Sequence, residues 1–69
     1  MEYETIVQNK LLRATEVAQI LDISRSMAYR LIQNGEIRSV HIGMARRVRF
    51  EDLQSYIESN LHPYPTVAK

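Results

Sequence analysis

Residues 14–35, ATEVAQILDISRSMAYRLIQNG, decide the fold. Ala14, Val17, Ala18 and Leu21 recur at i, i+3, i+4 and i+7, the spacing that lines one face of an α-helix, and Ile20 widens the stripe. Asp22-Ile23-Ser24 breaks the pattern after two turns. Ser24 is a good N-cap for a second helix running to about Asn34, and Gly35 is placed to end it in a left-handed conformation. The first helix starts less cleanly. Glu16 stands where a capping box places its acid, but Arg13 is a poor cap, so either Thr15 caps a later start or the first turn is weak. On the second helix Ala28, Leu31 and Ile32 form the apolar stripe. Arg25, Tyr29 and Gln33 share another face at i, i+4 and i+8, with Ser26 and Arg30 beside them. Such a helix packs on one side and presents polar side chains to a polymer on the other.

Beyond Gly35 the period changes to two. Val40 and Ile42 alternate with Ser39 and His41, and Val48 and Phe50 alternate with Arg47 and Arg49. Gly43-Met44-Ala45-Arg46 between them reads as a hairpin tip, with Gly43 supplying an unusual φ. This alternation predicts one greasy hairpin face (Val40, Ile42, Val48, Phe50) and one basic face. Glu51 and Asp52 suit the positive end of a third helix, on which Leu53, Tyr56 and Ile57 form a core stripe. That helix ends near Asn60, because His62-Pro63-Tyr64-Pro65 cannot continue it. Residues 1–10 read as a partly disordered leader or an added edge strand, 11–61 as the domain, and 62–69 as a flexible tail.

The composition narrows the function. Sixty-nine residues make one small domain, and without cysteine there is no disulfide, thiolate zinc site or cysteine nucleophile. A hydrophobic fraction of 45% and a charged fraction of 25% are those of an ordinary globule. No apolar run approaches the roughly 20 residues that span a bilayer, and a cytoplasmic address is expected. The net charge of +1 conceals a strong polarity. Residues 25–49 hold six arginines (Arg25, Arg30, Arg38, Arg46, Arg47, Arg49) against Glu36 alone. The remainder holds three cations against seven acids. Arginine suits bidentate contacts to phosphates and base edges, so a fold that gathers this block on one flank would bind nucleic acid. No nucleophile, base and orienting group fall into a catalytic arrangement, His41 and His62 have no ligand partners, and no glycine loop cradles phosphate. No enzyme activity, metal or cofactor is expected.

Two short helices joined by a three-residue turn, then a hairpin, then a packing helix describe a mostly α winged helix-turn-helix with a two-stranded wing. Its second helix would enter the major groove and its hairpin would lie over neighbouring backbone. Met44 at the wing tip reads either as an exposed loop residue, the commoner case, or as an apolar wedge for a groove.

The runs EVAQIL–DIS–RSMAYRLIQNGEI and IG…RRVRFEDLQSYI, within residues 11–57, resemble the small helix-turn-helix proteins of the excisionase family, which are related to the DNA-binding domain of MerR-type regulators. The resemblance implies contacts to double-stranded DNA from Arg25, Ser26, Tyr29 and Arg30 and from the wing at Gly43, Arg46, Arg47 and Arg49; Gln33, which shares the face of Arg25 and Tyr29, is expected to join them. This chain has Arg13 where the family usually has Thr or Ser, Asp22 where it has Gly, and Met27-Ala28 for Thr-Val. Many members act beside a site-specific recombinase, so an excisionase or recombination directionality factor is expected. A small transcriptional regulator of a mobile element needs the same contacts, and a protein-interaction module reusing the fold is the alternative of another kind. With no heptad extension, a monomer is expected in solution, with several copies or a partner assembling on DNA.

Overall fold

The computed structural model describes residues 10–62. Its elements run β1 (Leu11–Leu12), α1 (Ala14–Leu21), α2 (Arg25–Gln33), β2 (Val40–Ile42), β3 (Ala45–Arg49) and α3 (Phe50–Ser59). Three helices and a small antiparallel sheet form the winged helix-turn-helix that the periodicities predict. The leader up to residue 9 and the tail from residue 63 lie outside the described residues. No described helix is long and apolar enough to cross a membrane.

Helix α1 begins at Ala14, which settles the question of its start. Arg13 is the cap residue, and because its side chain has no acceptor, only half of a capping box forms. The Glu16 carboxylate accepts from the Arg13 backbone N–H at 2.9 Å and from Lys10 Nζ at 2.6 Å. The Lys10 bond is the larger reason that the Glu16 carboxyl titrates below its ordinary range, and the Arg13 N–H adds to it. At the other end Asp22 takes the left-handed conformation, φ 58° and ψ 48°. Its N–H donates to the Gln19 carbonyl at 3.3 Å and that of Ile23 donates to Ala18 at 3.0 Å. These are the paired bonds of a Schellman turn. Helix α2 closes in the same way around Gly35 (φ 80°), with Gly35 N–H donating to Ile32 and Glu36 N–H to Leu31.

The second reversal sends Ile37 inward, where it is fully buried with Val17, Val48 and Leu53. Ala14, Ala18 and Ala28 are buried as well, and their small side chains let α1 and α2 approach closely. Leu12, Leu31 and Ile32 complete the core, and Leu21, Ile23 and Tyr56 pack partly against it. Each large side chain so buried contributes about 1.5–3 kcal/mol of transfer free energy. Ile20 and Ile57, expected on the core stripes, are half exposed. Ile57 lines an open apolar groove with Leu21, Ile23, Met27 and Leu31.

The sheet has strand order β1-β3-β2, so the wing gains a third strand from Leu11-Leu12. The hairpin faces differ from the alternation expected along each strand. Val40 pairs with Arg47, His41 with Arg46 and Ile42 with Ala45. Directly paired residues share a face, so Val40 and Ile42 lie with Arg47 and Arg49, opposite Val48. The reason is the even length of the loop: the Gly43-Met44 turn, like the four-residue tip expected from the sequence, pairs even positions of one strand with odd positions of the other, so Val40 and Ile42 cannot share a face with Val48. Ala45 and Arg46 therefore belong to β3, not to the tip, and Phe50 opens α3 rather than closing the strand.

Candidate nucleic-acid interface

The Ser24 hydroxyl accepts from the Met27 backbone N–H at 3.0 Å and fixes the start of α2. Arg25 is then the first helical residue, and no acid stands in that first turn. A cation at the positive end of a helix is unfavourable by itself, and an external anion would offset the cost. At about 100° per residue, Arg25, Ser26, Tyr29, Arg30 and Gln33 share an arc of about 140°. All five are exposed, whereas Ala28, Leu31 and Ile32 are buried on the far side. Arg30 forms no ion pair among the described residues; its Nη2 lies 2.9 Å from the Met27 thioether sulfur.

Two recesses border this arc. One, of about 300 Å³, lies between α1 and the start of α2 and is lined by Thr15, Ala18, Gln19, Asp22, Ile23 and Arg25. The other, of about 260 Å³, lies between the end of α2 and the wing, lined by Ala14, Tyr29, Ile32, Gln33, Met44 and Arg46. Thr15 and Gln19 extend the polar flank beyond the residues expected from the sequence. Their signal was present: Thr15, Gln19 and Asp22 recur at i, i+4 and i+7 along α1.

The wing arginines divide. Arg46 shares its face with Val48 and, nearer the tip, borders the same recess as Tyr29 and Gln33. Arg47 and Arg49 point to the other face. The Arg47 Nη1 donates to the Arg46 carbonyl at 3.0 Å. Arg49 is engaged internally, its Nε and Nη2 reaching the two carboxylate oxygens of Asp52 at 2.7 and 3.0 Å and its Nη1 reaching Glu51 at 2.9 Å. Asp52 is 8% exposed, and the hydrogen bonds from Arg49 hold its carboxyl below the ordinary range against the opposing effect of burial. The structure thus sets Arg49 apart as a clamp on the first turn of α3. Gly43 stands at the exposed tip with φ 59°. Among the described residues no group of three or more His, Cys, Asp or Glu side chains is arranged to hold a metal ion.

A capped second helix, a three-residue turn from the first, and a hairpin beside its exposed face define a protein of the winged helix-turn-helix class. Comparison with known proteins agrees: the pattern of the helix-turn-helix domain family matches residues 11–61, and the chain belongs to that family. It is 32% identical over 53 residues to a Mycobacterium tuberculosis protein (strain CDC 1551 / Oshkosh) named "Putative DNA-binding protein MT0521", covering 77% of this chain and 68% of the relative. The same figures hold for "Putative DNA-binding protein Rv0500A" of M. tuberculosis strain ATCC 25618 / H37Rv. No solved structure matches the chain significantly.

Proposed function

We propose that this protein binds double-stranded DNA, with α2 in the major groove and the β2–β3 hairpin as a wing against the flanking backbone. We infer further that it serves as an accessory factor of the excisionase or recombination directionality kind, acting beside a site-specific recombinase. One observation carries the DNA reading. Arg25, Tyr29 and Gln33 of α2 and Arg46 of β3, far apart in sequence, border one exposed flank. Most acids near the arginine block are taken up elsewhere: Glu51 and Asp52 by Arg49, and Glu16 by Lys10. The names of the mycobacterial relatives support the same reading. The resemblance to excisionases supports the role beside a recombinase.

The roles follow from side-chain chemistry. A major groove about 12 Å wide admits a helix, arginine pairs bidentately with guanine, and glutamine with adenine. Arg25 and Gln33 are the base readers, and Ser26, Tyr29, Arg30 and Arg46 set the register on phosphates. One helix and one wing cover few base pairs, so adjacent copies share a site. Selection from random duplexes tests the proposal. The wild type enriches a defined site, and Arg25→Ala narrows the preference for that site over random duplex by about tenfold or more, whereas Arg46→Ala weakens both alike. Failure to enrich any sequence, with no retention of duplex, would refute it.

A further inference from the structure

The apex of the hairpin is Gly43-Met44, a two-residue turn between Ile42 and Ala45. Gly43 adopts φ 59°, and a side chain built on it would meet nothing within 4 Å, so the tip stands clear of the body. Met44 is 102% exposed; the next most exposed large apolar residue described, Leu61, is 74% exposed. Met44 lines the rim of the recess that also holds Tyr29, Gln33 and Arg46. It therefore sits on the flank that α2 offers to DNA, away from the apolar groove formed by Ile23, Met27, Tyr56 and Ile57 behind that helix. The fold gains nothing from a thioether chain placed wholly in water at the point of a short, glycine-set turn.

We propose that Met44 is a wedge. This rests on the DNA-binding reading: with α2 in the major groove, the wing tip enters the neighbouring minor groove, and the Met44 side chain inserts between two stacked base pairs. Arg46, two residues on, holds the adjoining phosphate. An unbranched, polarisable chain suits a narrow gap between base planes, and apolar wedges partly unstack the step that they enter. The target is then a pyrimidine–purine step, TA or CA/TG, whose weak stacking makes opening least costly. Met44 is thus a specificity-determining residue for a step that α2 does not touch.

The test uses the full chain and a duplex carrying the selected site, with 2-aminopurine placed at a TA step in the flanking minor groove. Fluorescence is recorded for the wild type, Met44→Leu and Met44→Ser. Wild type and Met44→Leu raise the fluorescence and prefer TA to AA at that step. Met44→Ser abolishes the rise, loses the preference and binds about tenfold more weakly, the share of apolar burial that remains after unstacking is met. Because Met44 is fully exposed in the free protein, Met44→Leu and Met44→Ser remove no buried contact and leave the fold intact. Wild-type binding without a fluorescence rise, or Met44→Ser that keeps affinity and step preference, overturns the wedge alone. A wild type that retains no duplex overturns the DNA reading and the wedge together.

Discussion

Asp22 is the residue at which backbone geometry and DNA chemistry meet. It ends α1 in the left-handed region, φ 58° and ψ 48°, where the paired Schellman bonds hold it. That conformation costs an L-residue about 1–2 kcal/mol, less for aspartate, and glycine little. Asp22→Gly therefore stabilises the fold by about 0.5–1 kcal/mol. In a domain of this size each kcal/mol moves Tm by about 4–8 °C, so a rise of about 2–8 °C is expected in circular dichroism melts. Asp22→Asn keeps the left-handed preference and leaves Tm nearly unchanged, but it removes the carboxylate from the recess shared with Arg25. A phosphate drawn to Arg25 then meets one repulsive charge fewer. Fluorescence anisotropy shows DNA affinity rising about twofold at low salt, with the gain fading as salt screens it. A lower Tm for Asp22→Gly would refute the backbone argument. An unchanged low-salt affinity for Asp22→Asn would refute the placement of this carboxylate beside the DNA.

Further outcomes follow from the caps and the clamp. Ser24→Ala leaves the Met27 N–H without its acceptor and costs about 1 kcal/mol, read as a lower urea midpoint at unchanged slope. Asp52 titrates below its ordinary value because Arg49 donates to it, so the folded state binds that proton less readily than the unfolded chain. Its stabilising effect is whole above the ordinary carboxylate pKa of about 4 and is lost as the pH falls through the depressed value. Asp52→Asn flattens the acid decline of Tm below about pH 5, and an acid limb identical to that of the wild type would remove Arg49 as the cause.

Much of this architecture was legible from local pattern. The stripe from Ala14 to Leu21, the Ser24 cap and Gly35 located both helices of the motif within a residue or so, because capping and 3.6-residue periodicity are local physics. What could not be read was set by long-range pairing. Ile37, one of the most deeply buried side chains, lies in an aperiodic connection and is carried inward only by the reversal at Gly35. The hairpin faces follow from an even-length loop that pairs even with odd positions; alternation within each strand does not show this, although the four-residue tip read from the sequence already implies it. Arg49 looks like Arg46 in the sequence. They part company because Arg49 is the cap residue of α3, three positions before Asp52, whereas Arg46 lies nearer the tip beside α2. The spacing of Arg49, Glu51 and Asp52 at a helix start is the sequence signal of that clamp.

The most direct measurement is the salt dependence of duplex binding for the wild type, Arg46→Ala and Arg49→Ala. If Arg30 and Arg46 each neutralise a phosphate, log affinity falls with log salt at a slope of about −1.8, a loss of about 12-fold between 50 and 200 mM. Arg46→Ala makes the slope shallower by about 0.9, and Arg49→Ala leaves it unchanged while lowering Tm. A flat wild-type response, or an Arg49→Ala slope that shifts as much as that of Arg46→Ala, would contradict the account.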